Sequence, residues 1–413
     1  MRCGDWTTAR CSATSGTPVG TRTPSTSSSR MRSTGVATTP SGRRWTPWVS
    51  TPWSSAAGPT TGPSGGGMLW LTGHWEWHGM ACYLLVPRDD EPVLVYSMGG
   101  SHLEATRREV WIADVRNSRM GRYGEVLAEV IREKGLEKAT IGHPPIDPRY
   151  GDYMPVNQLR ALEDGLPDAN VVLLPEFFHE LLVIKSEEEM ECVRKAGSLC
   201  VDALEAMVER ARPGVAEWEL KAAAASAILA GHGDVDFLIL GATSTHDPQM
   251  IFGNPRPSDR RLREGDVIVN ELAAGYRGYT AQIGLPIFVG EPAPSAAEFF
   301  DTVALPGYLH MAEQVRAEKR LSDVHRAGRF FREHGYQSRP ILLHGIDLTS
   351  AEPHVFVDEF HDDEIRPGQV LMLEPNPINP EGSLGFFIGQ TFIIHEDRTE
   401  NVTDRPLERI VTG

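Results

Sequence analysis

The chain has 413 residues, 40% of them apolar and 23% charged, and a formal net charge of −16. That length allows two or three domains with sizeable cores. The acidic balance argues against nucleic acid or anionic lipid as a partner, and no apolar run approaches the ~18 residues of a membrane span. The five cysteines, at 3, 11, 82, 192 and 200, offer neither paired metal spacing nor a disulfide framework. A cytoplasmic protein in a reducing compartment is therefore expected.

The average conceals a seam. Residues 1–67 contain no Leu, Ile, Phe, Tyr or Lys, but 26 Ser or Thr. Seven Arg against the single acid Asp5 give this segment +6, so residues 68–413 carry −22. With three Val as its only large aliphatic residues, the segment buries too little surface to offset chain entropy. Its four Trp (6, 45, 48 and 53) follow no period of 2 or 3.6. Pro47 and Pro52 break the stretch after Arg43-Arg44, so it does not form a secretory signal. Residues 1–67 are expected to be non-globular, either a disordered tail or a frame-shifted stretch. Normal globular texture starts at Met68.

From there strands and helices alternate. Ala81–Val86 and Val93–Tyr96 read as strands, Tyr123–Lys134 as a helix with Val126, Leu127, Val130 and Ile131 at helical spacing, and Ala139–Ile141 and Val171–Leu174 again as strands. This predicts a small α/β domain over 68–180 whose front part is missing. A second domain is predicted over 184–413. Ser186 followed by Glu189 has the spacing of a capping box and starts a helix through Met207. Arg212-Pro213-Gly214 stops it, and the alanine-rich stretch Glu217–Ala230 forms a second helix ending at Gly231.

Strands are then expected at Phe237–Leu240, Val267–Ala273, Ile283–Val289, Ile341–Leu343, Val370–Leu373 and Phe392–Ile394. Gly284 and Pro286 weaken the third of these. Helices are expected at Ala296–Ala317, kinked at Pro306, and at Ser322–His334. The order of two helices, strands, two helices, strands suggests an internal pseudo-repeat.

Several motifs stand in a recognisable order. They are Trp70-Leu71-Thr72-Gly73, Ile184-Lys185-Ser186 with Glu188-Glu189, Arg194-Lys195-Ala196-Gly197, Arg212-Pro213-Gly214 with Glu217, Gly265-Asp266, Gly278-Tyr279, His344-Gly345-Ile346 and Leu373-Glu374-Pro375. Together they resemble the creatinase/aminopeptidase P/methionine aminopeptidase superfamily. The resemblance implies a mixed α/β (α+β) pita-bread catalytic domain behind a smaller α/β domain, in a homodimer.

Peptidases of that superfamily hold two divalent metals with Asp, Asp, His, Glu and Glu. By resemblance the five positions here are Glu271, Gln282, His344, Glu374 and Gly389. Three ligand-type side chains remain, and the lost charge disfavours a cation pair. The resemblance implies either no metal or a single divalent ion (Mn, Zn or Co) on Glu271, His344 and Glu374. The position of a substrate-contacting His is Ala351, with His354 nearby. The position of creatinase's acid/base His is Asn254, with His246 eight residues upstream. The strand from Glu271 to Tyr279 resembles that of ectoine hydrolase, a member that works without metal.

The expected catalytic set is therefore Glu271, His344 and Glu374, with Glu271 as nucleophile or base, and two carboxylates in one pocket divide acid and base roles. Gln282, His246, Asn254, His354 and Tyr279 are the expected substrate-binding residues. The leading expectation is a hydrolase cleaving a C–N bond of a small amidine, guanidino or amide compound. The alternatives are a metal-dependent Xaa-Pro aminopeptidase and an inactive pita-bread binding protein. The expected partners are a small-molecule substrate and a second copy of the chain, with neither nucleic acid nor membrane.

Overall fold

The computed structural model describes residues 48–50, 66–74, 81–144, 154–174, 181–346 and 352–413. All belong to one compact unit, Val36–Gly413. Trp48–Ser50 (β1) pairs antiparallel with Tyr83–Leu85 (β2), which pairs antiparallel with Val93–Tyr96 (β3), and β3 runs parallel to Asp114–Asn117 (β4). Sequence reading gives residues 1–67 no element. The structure corrects this with an edge strand at Trp48–Ser50 and a helix, Gly66–Thr72 (α1), that begins two residues before the seam. An edge strand needs only main-chain partners along one side, so a segment poor in aliphatic residues can supply one.

Gly100–Glu109 (α2) precedes β4, and Tyr123–Glu133 (α3) follows it. Thr140–His143 (β5) and Asn170–Leu173 (β6) form a parallel pair joined through Val156–Gly165 (α4). A core of Tyr83, Leu85, Val93, Val95, Leu127, Ile131, Ile141 and Leu162 packs these elements together. The i, i+4 spacing of Leu127 and Ile131 turns α3 toward the strands.

Glu187–Arg210 (α5) comes next along the chain. Ser186 Oγ accepts from the Glu189 amide at 3.4 Å, and Glu189 Oε2 accepts from the Ser186 amide at 2.7 Å, which completes the capping box. Glu217–Ala230 (α6) follows. The strands Asp234–Ser244 (β7), Asp266–Tyr276 (β8), Tyr279–Ile283 (β9), Ile287–Val289 (β10) and Ile410–Thr412 (β18) form a five-stranded sheet, in which β8 carries β7, β9 and β10. The single strand expected over Ile283–Val289 is in fact two. Residues 284–286 leave the ladder where Gly284 and Pro286 interrupt it.

Pro294–Phe299 (α7) continues through a π turn at Phe300–Ala304 into Leu305–Ala312 (α8). The wide turn lies just before Pro306, which has no N–H to give, so the helix is continuous where a kink is expected. Leu321–Glu333 (α9) is followed by Gln337–Ser338 (β11), which pairs antiparallel with Pro377–Ile378 (β15), and by a second five-stranded sheet in the order His354–Phe356 (β13), Ile341–Gly345 (β12), Val370–Leu373 (β14), Gln390–Ile394 (β16) and Thr399–Asn401 (β17). Each half thus sets helices before a five-stranded sheet. One core runs through both, from Leu199, Leu204 and Leu220 through Ile268 and Phe288 to Phe331, Leu343, Leu371 and Ile394.

Candidate active site

The two sheets meet where Gly284 and Gly389 exchange backbone hydrogen bonds of 3.0 and 2.9 Å. Beside them Thr391 Oγ1 accepts from the Gln282 amide at 2.9 Å and donates to the Gln282 carbonyl at 2.8 Å. The registers continue across this seam. Ala273 faces Gln282, Leu373 faces Gln390, and His344 faces Met372. One step further, Glu271 falls opposite Gly284, and Glu374 opposite Gly389. Side chains alternate along a strand, so Glu271, Gln282, His344, Met372 and Glu374 share one face. The topology therefore gathers residues spread over more than 100 positions.

His344 and Glu374 are buried, at 8% and 7% exposure. His344 Nε2 lies 3.5 Å from Glu374 Oε2, an ion-pair distance longer than a good hydrogen bond. Its Nδ1 is 2.8 Å from the Gly345 carbonyl, so Nδ1 carries a proton and Nε2 is directed at the carboxylate. Burial lowers the imidazole pKa, but the charge and hydrogen bonding of Glu374 and the Gly345 carbonyl outweigh it and leave it raised. Glu271 keeps a strip of exposed surface while its carboxyl is packed deep. Burial first, and the charge of Glu374 second, push its pKa up to about 8, against smaller opposing effects of His344 and Arg339. The cluster thus sets a buried carboxyl whose pKa is raised to about 8 beside an imidazole whose pKa is raised by the neighbouring Glu374.

One acceptor in the cluster, Gln282 Oε1, finds no hydrogen-bond donor among the described residues. Buried acceptors of this kind suit the N–H groups of a ligand.

The other expected binding residues are dispersed. His354, on β13, faces His344 in register with ring centroids 6.3 Å apart, and its Nδ1 lies 3.0 Å from Glu352 Oε1. Tyr279 lies at odd spacing from Gln282, and its hydroxyl donates to Glu189 Oε1 at 3.0 Å, which ties β9 to α5. His246 is exposed against Gly265, beyond the Asp266 end of β8 and roughly 16 Å along that strand from Glu271. Asn254 is exposed too. Its backbone bonds Leu240, and its Oδ1 accepts from the Arg256 amide at 2.8 Å. The structure does not bring His246, Asn254 or Tyr279 into the cluster. Ala351 lies outside the described residues.

Sequence reading missed the apolar and cationic neighbours. Met372 and Phe387 fill the space a side chain at Gly389 would need, with Phe387 Cε1 2.8 Å from the point where a Cβ would sit. Phe387 also closes on Gly284 and packs edge-on against Phe252 at 5.7 Å. Arg339 lays its guanidinium 3.6 Å from the centroid of the Phe252 ring. Strand parity was the available signal, since Met372 and Phe387 each stand two residues from a ligand position. Arg339 and Phe252 had none.

These residues do not fit a two-metal centre. A neutral Gln stands at one ligand position, and the Gly at another has its side-chain volume taken by thioether and ring. Among the described residues no three His, Cys, Asp or Glu side chains form a group able to hold a metal ion.

Fold and site define a hydrolase of the pita-bread class, and comparison with known proteins gives its family. Residues 191–396 match metallopeptidase family M24. The probable dipeptidase PepE of Mycobacterium bovis is 31% identical over 293 residues, 67% of this chain and 73% of that protein. The Xaa-Pro dipeptidase of Pyrococcus furiosus is 23% identical, over 78% of this chain and 86% of its own. The crystal structure of X-Pro aminopeptidase from Thermotoga maritima superposes with a TM-score of 0.71 at 20% identity, covering 89% of this chain and 97% of that one. The chain belongs to the M24 metallopeptidase family, within the creatinase/aminopeptidase P superfamily. Among the described residues no helix is long and apolar enough to cross a membrane.

Proposed function

We propose that this protein hydrolyses the amide C–N bond of a dipeptide-sized substrate by carboxylate acid–base chemistry. The observation that carries this reading is the convergence of Glu271, raised to about 8, with Glu374, whose Oε2 lies 3.5 Å from His344 Nε2. The names of the relatives point to the peptide bond rather than to an amidine or guanidino bond.

Glu374 is the base: it takes a proton from water as the water oxygen bonds to the carbonyl carbon. Glu271 is the acid: it delivers its proton to the leaving nitrogen as the C–N bond breaks. The products are one carboxylic acid and one amine, and the proton gained by Glu374 returns to Glu271 through His344 or solvent. The expectation for Glu271 was nucleophile or base. Burial reverses that role at neutral pH, because a carboxyl with a pKa near 8 arrives protonated. The free Oε1 of Gln282 would accept from the substrate's N–H.

The test is turnover of a dipeptide panel, Xaa-Pro dipeptides included, by wild type, Glu271→Gln and Glu374→Gln. Each variant should lose about 10²–10⁴-fold in kcat. Unchanged kcat in either variant would remove its residue from the chemistry.

A further inference from the structure

We infer that the cavity between α9 and the segment 336–342 binds a small carboxylate with an apolar body, at a site separate from the catalytic cluster. The inference is independent of the peptide-bond reading above.

The cavity has a volume of about 210 Å³. Drug-sized ligands occupy about 300–1,000 Å³, so this space suits a molecule nearer the size of an amino acid. One wall is the face of α9 that carries His325, Gly328, Arg329 and Arg332, whose spacing of three and four residues sets them on one side of the helix. Gly328 opens the space. A glycine inside a helix costs about 1 kcal/mol relative to alanine, and a Cβ here would stand 2.6 Å from Leu342 Cδ1. Phe331 and Leu342, each 1% exposed, give the cavity an apolar lining together with Val357. His325 is fixed beside them: its Nε2 donates to the Val357 carbonyl at 2.9 Å, and its ring stacks on Phe360 at 4.4 Å.

The charge on the rim is positive. Residues 68–413 carry −22, yet no acid lines this cavity among the described residues. Arg329 makes no ion pair and no side-chain hydrogen bond among the described residues, whereas Arg326 on the same helix pairs with Asp323 at 2.8 Å. The contact of Arg332 is with Asp358, at 3.5 Å, and that carboxylate is 92% exposed. A surface pair of this kind contributes little and yields to a better partner. A carboxylate matches a guanidinium fork in two parallel hydrogen bonds. The apolar body behind it would displace water from Phe331, Leu342 and Val357.

This site is distinct from the catalytic one. Leu342 stands two residues before His344, but a register shift between Ile341 and Leu343 breaks the alternation of β12. Leu342 therefore turns onto Gly328 of α9, while His344 faces Glu374. The Leu342 carbonyl accepts from the Glu374 amide at 2.9 Å, so the cavity backs onto the main chain that holds the acid.

The experiment is calorimetry on the full chain with isocaproate and, as the neutral probe, isocaproamide. Wild type should bind the acid at least about tenfold more tightly than the amide. Replacing both rim arginines, Arg329→Gln with Arg332→Gln, should bring the two affinities together. Gly328→Met should fill the space and abolish binding of the acid, and Glu374→Gln should leave it unchanged. Circular dichroism verifies that each variant is folded, and the rim variant alone decides the case if Gly328→Met is not. Equal wild-type affinities, no binding of the acid, or a preference that survives in the rim variant would overturn the assignment. So would acid binding that is unchanged in folded Gly328→Met, or lost in Glu374→Gln, which would put the acid at the catalytic cluster.

Discussion

Met372, on the strand beside Gly389, fills the space that a side chain on Gly389 would occupy, so the last ligand position of the family is filled by a thioether. Phe387 closes on the same space. A site that elsewhere carries charge and cation has become apolar here. Beside it, burial and the charge of Glu374 push the pKa of Glu271 up to about 8.

Restoring a carboxylate at this position should therefore not restore metal binding. Gly389→Glu introduces a charge with no room, and Gly389→Ala alone is expected to cost about 1–3 kcal/mol through overpacking. Thermal denaturation of both variants, with metal analysis after dialysis against Mn²⁺, checks this. Two equivalents of bound Mn²⁺ in Gly389→Glu would contradict it.

The raised pKa of Glu271 makes stability fall with pH. Its folded value of about 8 exceeds the ordinary 4.5, so the folded state holds the extra proton between those limits. The associated stability is full below about pH 4.5 and is lost as pH rises through about 8. Glu271→Gln is neutral throughout and should lose less stability than wild type from about pH 6 to 9 in urea titrations. Parallel curves for the two proteins would contradict the assignment.

Glu400 has the opposite sign. Arg194 grips both its oxygens at 2.7 and 3.0 Å, and His395 Nε2 lies 2.7 Å from Oε2. The Arg194 hydrogen bonds, and then His395, lower its pKa to about 2. The stabilisation is full above about pH 4.5 and is lost as pH falls through about 2. Glu400→Gln should therefore destabilise the fold at neutral pH and cost little near pH 2. Equal destabilisation at both ends would show that the residue acts through packing rather than charge.

The capping box gives a local test. Ser186→Ala leaves the Glu189 amide without its side-chain acceptor at the start of α5, and a loss of about 1 kcal/mol is expected. Chemical denaturation measures it, and a change below about 0.3 kcal/mol would mean that tertiary contacts alone hold this helix end.

Much of this was legible in the sequence because it is local. The Ser186–Glu189 box, the stop at Arg212-Pro213-Gly214 and the strands through Glu271 and Glu374 are written in adjacent residues. Gly284 and Pro286 were read as a weakness and mark a true break. The convergence of Glu271, His344 and Glu374 was legible only through resemblance, because sheet order is a tertiary property. The edge strand at Trp48–Ser50 gave no periodic signal, since its partners are main-chain groups. Arg339 and Phe252 escaped because each lies in an irregular segment, and only the folded chain stacks one on the other. His246 and Asn254 were chosen by position in the chain, and both are exposed and engaged in turns.

The most direct test of the central claim is the pH dependence of dipeptide hydrolysis by the metal-depleted full chain, with and without Glu271→Gln. The expected result is turnover that persists in chelator and falls along a limb near pH 8 as Glu271 loses its proton, with that limb absent from the residual activity of the variant. Activity that vanishes in chelator and returns only with added Mn²⁺, Zn²⁺ or Co²⁺, or a limb near pH 8 that survives in Glu271→Gln, would contradict it.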